Sequence, residues 1–586
     1  MLISKVHIVG YRNLRDIEVD LNRLVILIGD NNSGKSNFLK AITLPFMNDE
    51  TGKVNKRLGW NDINNDIKKK YFTYIEENLD KIKNDSINKE EFQNHLPFVR
   101  VTVTFQPDDT DEFYVRKWIN SIDGDDPIFS IQYEFSIENP KELFEHIKNI
   151  LKDKDSIDHI KMNLLPIELF KYSITNPATG DQVSYADLIN FKYNSLAAER
   201  DDFSQRNQLG SRSLVNLLQS KLSDADKVKV EESYETFFNE LKEISDLDDI
   251  FNWQTNSSLE NATEFFDKIS LLPNMPSMSS LFNNVRLGFG EEYLYDQGLG
   301  YRNLVYLFVM MNSLEVNNEI ALNILTIEEP EAHLSVSNER LLASFIQSIT
   351  NKSEKIQLFL STHSPEFLDK LQLENVIVVT EGTAFSLKSA LKERELDYLA
   401  KKPNLDFLKF LYSRRCILVE GPTEEMLIKS YLRLQSNVLN DIAVISLHKG
   451  FTNMLEIWLK VNKNTSNRIA VIRDYDDEPA AQKRHEKYCK DNENIYVATT
   501  EQYTLEPEIV NTEGNYEKLK AYFKEEHNWK EEDLDTPDAL SKKWENAKTD
   551  TMLKFCLDFG KGHLEGIKLP QHINKSLNFL KSGVKE

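Results

Sequence analysis

The 586-residue sequence contains few cysteines and no long apolar segment. Its three cysteines, Cys416, Cys489 and Cys556, are too few and too scattered for a disulfide scaffold or a four-cysteine zinc site. No apolar run reaches the roughly 18 residues that a membrane-spanning helix needs, and the N-terminus lacks the pattern of a signal peptide. These absences predict a cytoplasmic protein with reduced thiols and no membrane segment.

Positive charge is also scarce. The chain has 94 acidic and 71 basic residues, which gives a net charge of −23. This balance excludes a uniformly basic nucleic-acid coat protein, but it allows a local basic groove because steering depends on where charges lie. With 40% apolar and 28% charged residues the chain is globular, and its length predicts several structural units.

A phosphate-binding motif lies near the start of the chain. Residues 29–36 read GDNNSGKS and match the pattern G-x-x-x-x-G-K-[ST], between the apolar run 24–28 and a helical pattern. The glycines let backbone N–H groups close around phosphate oxygens, and the start of the helix adds its dipole. Lys35 is expected to reach the terminal phosphates and Ser36 to bind Mg²⁺. The residues predicted to contact ATP here are Gly29, Asn32, Gly34, Lys35, Ser36 and Asn37.

Two later strand ends carry the other groups that an ATPase needs. Glu328 and Glu329 follow the apolar residues 324–327, and His363 follows the apolar residues 358–360. Glu328 is expected to hold the metal, directly or through water, and Glu329 to polarise the attacking water. A single histidine after a strand is more often structural, but the order of the three motifs favours contact between His363 and the γ-phosphate.

Together these segments resemble the ABC-type ATPase heads of the SMC, Rad50 and RecF group. The matching stretches are IVGYRNL at 8–14, GDNNSGKSN at 29–37, IEEPEAHL at 327–334 and STHSP at 361–365. The resemblance implies that a signature motif from a second head completes the nucleotide site, and hence a homodimer. The candidate signature is QGLGYRN at 297–303, with Gly298 and Gly300 as nucleotide contacts, although it lacks the usual serine. Glu328 stands where an aspartate is more common.

A second set of acids follows two later apolar runs. Glu420 ends one run and Glu424 lies four residues further on, while Asp474 and Asp476 end another run. Carboxylates at strand ends of a parallel sheet converge in one crevice, and alternate residues of an extended stretch face the same side. Oxygen ligands of this kind suit Mg²⁺ or Mn²⁺. The alternative is a structural role, since the chain has 94 acids.

These two motifs resemble the Toprim domain of topoisomerases, primases and certain nucleases. The matching stretches are VEGPTE at 419–424 and RDYDDE at 473–478. This resemblance covers roughly residues 413–510 and implies Mg²⁺-dependent phosphodiester chemistry. Basic residues near the motifs are candidates for contacts with a nucleic-acid backbone, with solvated surface charge as the alternative; they are Lys449, Arg473, Lys483 and Arg484.

An ABC-type head followed by a Toprim domain resembles the OLD (overcoming lysogenisation defect) nucleases, a family that includes the Gabija nuclease subunit. LAAERD at 196–201 agrees with this resemblance. LEPE at 505–508 implies that Glu506 and Glu508 are further metal ligands. FGKG at 559–562 implies that Lys561 stabilises the scissile phosphate, although a surface lysine is the default in so lysine-rich a tail.

The predicted fold is α/β, with an ABC-type (SMC/RecF-like) ATPase head followed by a C-terminal Toprim α/β domain. The head is expected in two parts, 1–204 and 281–400, around a helical insertion at 205–280 that serves dimerisation. The Toprim nuclease domain with a C-terminal helical extension is expected at 410–586.

The predicted function is an ATP-regulated, divalent-metal-dependent DNA endonuclease in anti-phage defence. The alternatives are a Toprim RNA or tRNA nuclease that halts the infected cell, and an ATP-driven DNA clamp or repair scaffold without nuclease activity. The expected partners are DNA or RNA, further copies in a homodimer or homotetramer, and a defence partner such as a UvrD-like helicase or a retron RNA–DNA element. The residues predicted to act in catalysis are Glu420, Asp474, Asp476, Lys561, Glu329 and His363.

Overall fold

The computed structural model describes two compact units. It covers the chain apart from residues 49–56, 109, 124–125, 153, 155, 198–208, 246–271, 273, 275, 283–284, 317–319, 381, 401–405, 435–440, 448–449, 464, 475–478 and 586. The first unit comprises Met1–Ile26 and Ser36–Thr362, and the second comprises Leu27–Lys35 and His363–Glu586. None of the helices in the described parts of the chain has the length and apolar character that crossing a membrane requires.

Strands and helices alternate through most of the described chain. The strands are β1 Leu2–Tyr11, β2 Leu14–Asp20, β3 Leu24–Ile28, β4 Met47–Asn48, β5 Val99–Gln106, β6 Ile119–Asp123, β7 Asp126–Ile137, β8 Phe170–Thr175, β9 Phe191–Leu196, β10 Gly288–Phe289, β11 Glu292–Tyr293, β12 Leu322–Glu328, β13 Ile356–Ser361, β14 Val376–Thr380, β15 Thr383–Ser386, β16 Arg415–Val419, β17 Ile442–Ser446, β18 Arg468–Arg473 and β19 Ile495–Thr499. This mixture is the α/β class that the sequence predicts.

The helices fall into a group before residue 363 and a group after it. The helices of the first group are α1 Lys35–Ile42, α2 Asn65–Glu77, α3 Leu79–Lys83, α4 Lys89–Asn94, α5 Glu112–Val115, α6 Pro140–Leu151, α7 Lys161–Leu164, α8 Tyr185–Leu188, α9 Leu209–Lys221, α10 Asp224–Ser245, α11 Met278–Phe282, α12 Leu299–Val316 and α13 Val336–Lys352. Those of the second group are α14 Pro365–Lys370, α15 Leu387–Ala390, α16 Glu393–Ala400, α17 Phe407–Tyr412, α18 Pro422–Leu434, α19 Phe451–Asn462, α20 Pro479–Asp491, α21 Leu505–Asn511, α22 Tyr516–His527, α23 Pro537–Gly560 and α24 Gln571–Ser582.

The first unit contains an antiparallel sheet in the order β2-β1-β5-β7-β6, with β8 also paired to β7. Alternate residues of β5 are buried because successive side chains of a strand point to opposite faces. The buried face is rich in aromatic rings, and Phe135 stacks on Phe170 with centroids 5.1 Å apart. One face of this sheet therefore supplies a core, as the alternating apolar pattern predicts.

A parallel sheet in the same unit carries the strand ends of interest. β12 pairs in parallel with β13 on one side and β9 on the other, and β4 follows β9. β12 and β13 are almost entirely buried, as expected for strands covered on both faces. Gln357 of β13 ties the two sheets together, because its side chain donates to Ile3 O and accepts from Ile3 N, both at 2.8 Å.

The predicted helical insertion is described only in part. Helices α9 and α10 lie within the range 205–280, and Ser213 of α9 is buried with its hydroxyl 3.3 Å from the Met310 sulfur of α12. Residues 198–201 of the LAAERD motif and residues 246–271 lie outside the described residues. The role of this region in dimerisation stays a prediction.

The second unit is built on a parallel sheet in the order β17-β16-β18-β19. The C-terminal helices share a core with this sheet. Within that core Trp544 and Trp529 pack on Phe523 with centroids 4.8 and 4.3 Å apart. The predicted C-terminal extension is thus part of the hydrophobic core around the sheet.

Candidate functional site

The loop after β3 has the backbone that a phosphate-binding loop requires. Asn32 and Gly34 adopt positive φ angles of 63° and 120°. A Cβ atom on Gly29 would lie 2.3 Å from Val379 O, so only glycine fits there. The Lys35 ammonium donates to Gly29 O at 2.8 Å and to Asp30 O at 3.0 Å, which holds it over the loop. These features suit the binding of phosphate oxygens.

Ser36 and Glu328 are adjacent, as their predicted shared role demands. The Ser36 hydroxyl donates to Glu328 Oε2 at 2.6 Å, although 292 positions separate the two residues in the chain. Glu328 is the last residue of β12 and Ser36 is the second residue of α1. Two oxygen ligands at this spacing fit one Mg²⁺ ion, which binds through oxygen.

Glu329 is held in a strained backbone conformation directly after β12. Its φ angle is 44°, an uncommon value for a residue with a side chain. Its N–H donates to Ser361 O at 2.9 Å, which links the ends of β12 and β13. Such strain often accompanies functional positions, so it supports the role predicted for Glu329. His363 follows these strand ends in sequence and is exposed.

Thr362 and Glu331 form a contact that the motifs did not indicate. The Thr362 hydroxyl donates to Glu331 Oε1 at 2.9 Å. Thr362 is buried, directly after β13, and Glu331 belongs to the turn after β12. This bond fixes the turn that carries Glu329. From the sequence alone, only the presence of the two motifs IEEPEAHL and STHSP could have suggested the contact between Thr362 and Glu331.

The two glycines of the candidate signature have different surroundings. A Cβ on Gly300 would lie 2.4 Å from His333 O, so Gly300 permits close packing of α12 on the turn after β12. The buried Asn303 lies one turn further along α12, and its side-chain amide donates to Ala332 O at 3.4 Å. A Cβ on Gly298 would meet no atom within 4 Å. Within the described chain, Gly300 therefore has a packing role and Gly298 borders open space.

Asn37 is engaged by the turn between β1 and β2. Its amide oxygen accepts from Arg12 Nη1 at 3.0 Å, and its amide nitrogen donates to Asn13 Oδ1 at 2.8 Å. Arg12 in turn is paired with Asp62 at 2.8 Å. Sequence reasoning assigned Asn37 to the nucleotide, whereas these bonds give it a role in positioning the start of α1. Arg12 was missed, although it lies in the IVGYRNL stretch.

The strand order of the second unit brings Glu420 and Asp474 to one edge. β16 and β18 are neighbours, with Leu418 level with Val471. Continuing this register puts Glu420 level with Arg473 and next to Asp474, on strands about 4.8 Å apart. In this order the chain leaves β16 toward β17 and returns on the other side to β18. Such a switch point opens a crevice at the carboxyl ends of the strands.

Glu424 turns back toward the same edge from the first turn of α18. Glu424 is only 5% exposed, and its Oε2 accepts from Gly421 N at 2.9 Å and from Thr423 Oγ1 at 3.1 Å. A Cβ on Gly421 would lie 2.9 Å from that oxygen, so glycine makes room for the carboxylate. No described lysine or arginine forms an ion pair with Glu424. A buried carboxylate in this setting is suited to a bound cation.

Glu506 lies close enough to Glu424 for their charges to interact. Burial raises the pKa of the Glu506 carboxyl above its ordinary value, and the charges of Glu424 and Glu545 raise it further. The neighbouring Glu545 accepts from Thr504 Oγ1 at 2.8 Å, which ties α23 to the start of α21. Neighbouring carboxylates repel one another when ionised, so this grouping makes each of them costly to ionise in the absence of a cation.

Glu508 and Lys561 are not brought to these carboxylates. Glu508 Oε1 accepts from the backbone N–H groups of Glu501 and Gln502, so it holds the loop before α21. Lys561 follows α23, and a rise of 1.5 Å per residue puts it roughly 24 Å along the axis from Glu545. The metal role predicted for Glu508 and the phosphate role predicted for Lys561 stay predictions.

The predicted metal set is incomplete among the described residues. Asp476 lies outside them. Within the parts of the chain that are described, no group of three or more histidine, cysteine, aspartate or glutamate side chains is arranged to hold a metal ion. The predicted ligation by Glu420, Glu424, Asp474 and Asp476 therefore stays a proposal.

Arg473 is a structural residue of this edge and not a surface cation. It is 3% exposed, and its Nε donates to Asp474 O at 3.0 Å. Its Nη1 lies 3.3 Å from His485 Nδ1, and His485 Nε2 lies 3.1 Å from Thr452 Oγ1. Because arginine only donates, His485 Nδ1 is the accepting nitrogen in this contact. This burial fits neither a solvated surface charge nor direct contact with a nucleic-acid backbone, the two alternatives that the sequence left open for Arg473.

Comparison with known proteins identifies the first two thirds of the chain. The AAA ATPase domain family matches residues 1–208 and 198–368. A protein named Endonuclease GajA from Bacillus cereus (strain HuB5-5) is 22% identical, over 87% of this chain and 81% of that protein. Another of that name from Bacillus cereus (strain VD045) is 24% identical, over 74% and 68% respectively. These findings confirm the predicted ATPase domain.

Two further likenesses are more distant or partial. The DNA replication and repair protein RecF of Oenococcus oeni is 23% identical, over 62% of this chain and 93% of that protein. The solved structure of the SMC head bound to the C-winged helix domain of ScpA aligns with a TM-score of 0.31 and 13% identity. That alignment covers 67% of this chain and 100% of the solved chain.

Proposed function

Because the chain belongs to the AAA ATPase domain family, we propose that it is an ATP-regulated, divalent-metal-dependent DNA endonuclease that acts in anti-phage defence. The observation that carries the proposal is that β16 and β18 are neighbouring parallel strands, so that Glu420 and Asp474 follow adjacent strand ends at the switch point of the second sheet. The charge interaction between Glu424 and Glu506 also supports it. The similarity to two proteins named endonucleases over most of the chain supports it.

In the first part of the proposal, the loop after β3 binds ATP in an ABC-type site. Lys35 neutralises the terminal phosphates, and the oxygens of Ser36 and Glu328 would hold Mg²⁺. Glu329 polarises the attacking water, and His363 contacts the γ-phosphate and reports its presence. Gly298 and Gly300 are the proposed contacts with the nucleotide of a second copy in a homodimer, and within the described chain a Cβ on Gly298 would meet no atom within 4 Å.

In the second part, the carboxylates of the second unit would hold one or two Mg²⁺ or Mn²⁺ ions. The proposed ligands are Glu420, Glu424, Asp474, Asp476 and Glu506. Such ions, when bound, activate a water molecule and stabilise the leaving oxygen of a phosphodiester. Gly421 leaves space for the Glu424 carboxylate, and Arg473 fixes the backbone at Asp474. This arrangement corresponds to the Toprim domain that the motifs resemble.

The test is cleavage of supercoiled plasmid by the purified chain with Mg²⁺ or Mn²⁺, with and without ATP. Nicking or linearisation should be abolished in Glu420→Ala and in Asp474→Ala, and should persist in Glu513→Ala, which removes an exposed carboxylate outside the cluster. Full cleavage by either of the first two variants would contradict the site. Total RNA is incubated in parallel, and degradation of RNA alone would replace DNA with RNA as the substrate.

Defence is measured separately from cleavage. Plaque counts on cells that carry the wild-type chain should fall relative to cells that carry Glu420→Ala. Equal plaque counts alongside normal cleavage in vitro would remove the antiviral role and leave the nuclease.

A further inference from the structure

Helix α20 has a basic face that is exposed to solvent. Lys483, Lys487 and Lys490 are spaced by four and three residues, so they lie on one side of the helix, and Arg484 lies next to them. All four are exposed, and none of them forms an ion pair with a described residue. The helix also carries two exposed acids, Glu486 and Asp491, so its side chains bear four positive and two negative charges, a net positive charge in a chain of net charge −23.

Several lysines on other helices of the second unit pair with acids, whereas Lys542, Lys575 and Lys581 form no ion pair with a described residue. Lys429 pairs with Glu425, Lys460 with Glu395 at 3.1 Å, Lys524 with Glu531 at 2.7 Å, and Lys554 with Glu526 at 3.3 Å. The four cations of α20 form no such pair with a described residue, and they are grouped on one short helix, so they can attract a polyanion.

The position of α20 relates this face to the proposed nuclease edge. α20 begins five residues after Asp474 and connects the parallel strands β18 and β19. Its first turn therefore lies at the carboxyl edge of the sheet, and the basic face runs away from that edge. Lys483 and Lys490 are about 10 Å apart along the axis, close to the rise of three base pairs of duplex DNA.

The opposite side of α20 is firmly anchored. His485 is 6% exposed and lies between Arg473 and Thr452, within hydrogen-bonding distance of both. The Tyr488 hydroxyl donates to Glu456 Oε1 at 2.7 Å, which ties the helix to α19. A helix held in this way presents its cations in a fixed arrangement, so binding costs little ordering entropy of the backbone.

From these observations we propose that the basic face of α20 binds the phosphate backbone of the DNA that the second unit cuts. This inference rests on the proposed nuclease function for its substrate. The lysines position the duplex by charge and carry no sequence preference. Arg473 takes no part in the contact, because it is buried and bonded to Asp474 and His485.

The test is equilibrium binding of a labelled DNA duplex over a range of salt concentrations in EDTA, so that no metal or cleavage is involved. The triple variant Lys483→Gln, Lys487→Gln, Lys490→Gln should bind more weakly than wild type. Its plot of log affinity against log salt should be less steep by about 0.9 for each phosphate that the variant no longer neutralises, or about 2.7 for three. Glutamine keeps the helix propensity of lysine, so α20 should still form.

The matched control makes the same change in charge on the first unit. Lys69, Lys70 and Lys152 are exposed and form no ion pair with a described residue. Replacing these three with glutamine should leave the salt slope unchanged. Equal slopes for wild type and both triple variants would overturn the proposed surface, and so would equal reductions in both variants.

The two proposals fail in different ways. If wild type cuts DNA and the α20 variant keeps the wild-type salt slope, the surface is wrong and the nuclease stands. If wild type binds DNA through α20 but cuts neither DNA nor RNA with Mg²⁺ or Mn²⁺, the nuclease is wrong and the surface stands. If wild type cuts RNA alone and binds no DNA, the surface as stated is overturned.

Discussion

Glu506 is a partly buried carboxyl with two further carboxylates nearby. Burial and the charges of Glu424 and Glu545 raise the pKa of its side chain. A carboxyl of this kind is costly to ionise in the folded chain, and a metal cation would offset that cost. The physical setting of Glu506 thus agrees with the ligand role that the LEPE motif implied, whereas Glu508 in the same motif serves the neighbouring loop.

Replacing Glu506 with glutamine should stabilise the metal-free protein at neutral and higher pH. A carboxyl with a raised folded-state pKa costs stability as pH rises above about 4.3, its usual unfolded value, and on through the folded pKa. Glu506→Gln removes that cost. In EDTA, the melting temperature of Glu506→Gln should therefore exceed that of wild type by a larger margin at pH 8 than at pH 4.

The control for this experiment is Glu513→Gln, which removes the same charge from an exposed position. It should shift the melting temperature little at either pH. An equal shift for Glu506→Gln at pH 4 and pH 8 would contradict a raised pKa. Mg²⁺ should then stabilise wild type more than Glu506→Gln, because the variant lacks a proposed ligand.

At the scale of single residues, the sequence motifs predicted the chemistry of a side chain more reliably than they predicted which residues it contacts. Ser36 and Glu328 were expected to share a metal, and their oxygens lie 2.6 Å apart. Asn37 was predicted to contact ATP and Arg473 was one candidate for contact with a nucleic-acid backbone, and the structure shows that both side chains form internal hydrogen bonds. A sequence reports which groups a residue carries, and tertiary packing decides which groups those residues meet.

At the scale of elements, helix α12 packs against the turn after β12 through a glycine. Gly300→Ala would bring a Cβ within 2.4 Å of the His333 carbonyl oxygen, so helix or turn must move. Overpacking of this kind typically costs about 1–3 kcal/mol. We expect a lower thermal midpoint for the variant, together with slower ATP hydrolysis because the same turn carries Glu329.

Gly298→Ala is the matched control, because a Cβ there meets no atom of the described chain within 4 Å. Its thermal midpoint should match that of wild type. If the signature glycines contact nucleotide across a dimer, Gly298→Ala should still weaken ATP hydrolysis. A lower midpoint for Gly298→Ala than for Gly300→Ala would contradict the packing role of Gly300.

At the same scale, strand neighbours decide which strand ends meet. The sequence predicts apolar runs that end in Glu420 and Asp474, but it does not say that β16 and β18 are adjacent. The order β17-β16-β18-β19 supplies that fact. Lys561 shows that position along the chain does not decide position in space. Its FGKG motif lies near the C-terminus as the resemblance implies, but Lys561 follows the end of α23 that is remote from Glu545.

For the whole molecule, the proposal requires that nucleotide binding influences cleavage. Lys35→Ala removes the ammonium that lies over the phosphate-binding loop and should abolish ATP binding. Plasmid cleavage by this variant should then be the same with and without ATP, whereas wild type should respond to ATP. Nucleotide binding is measured with a fluorescent ATP analogue. An unchanged ATP response in Lys35→Ala would contradict control through this loop.

Local patterns in the sequence determined the phosphate-binding loop, the strand-end carboxylates and the α/β class. Each of these depends on a few consecutive residues whose backbone and side-chain chemistry is largely set by their own identity. Tertiary structure alone decided that Ser36 meets Glu328, that β16 lies beside β18, and that one side of α20 is left basic and exposed. These facts arise from long-range pairing and burial, in which residues far apart in the chain compete for the same neighbours.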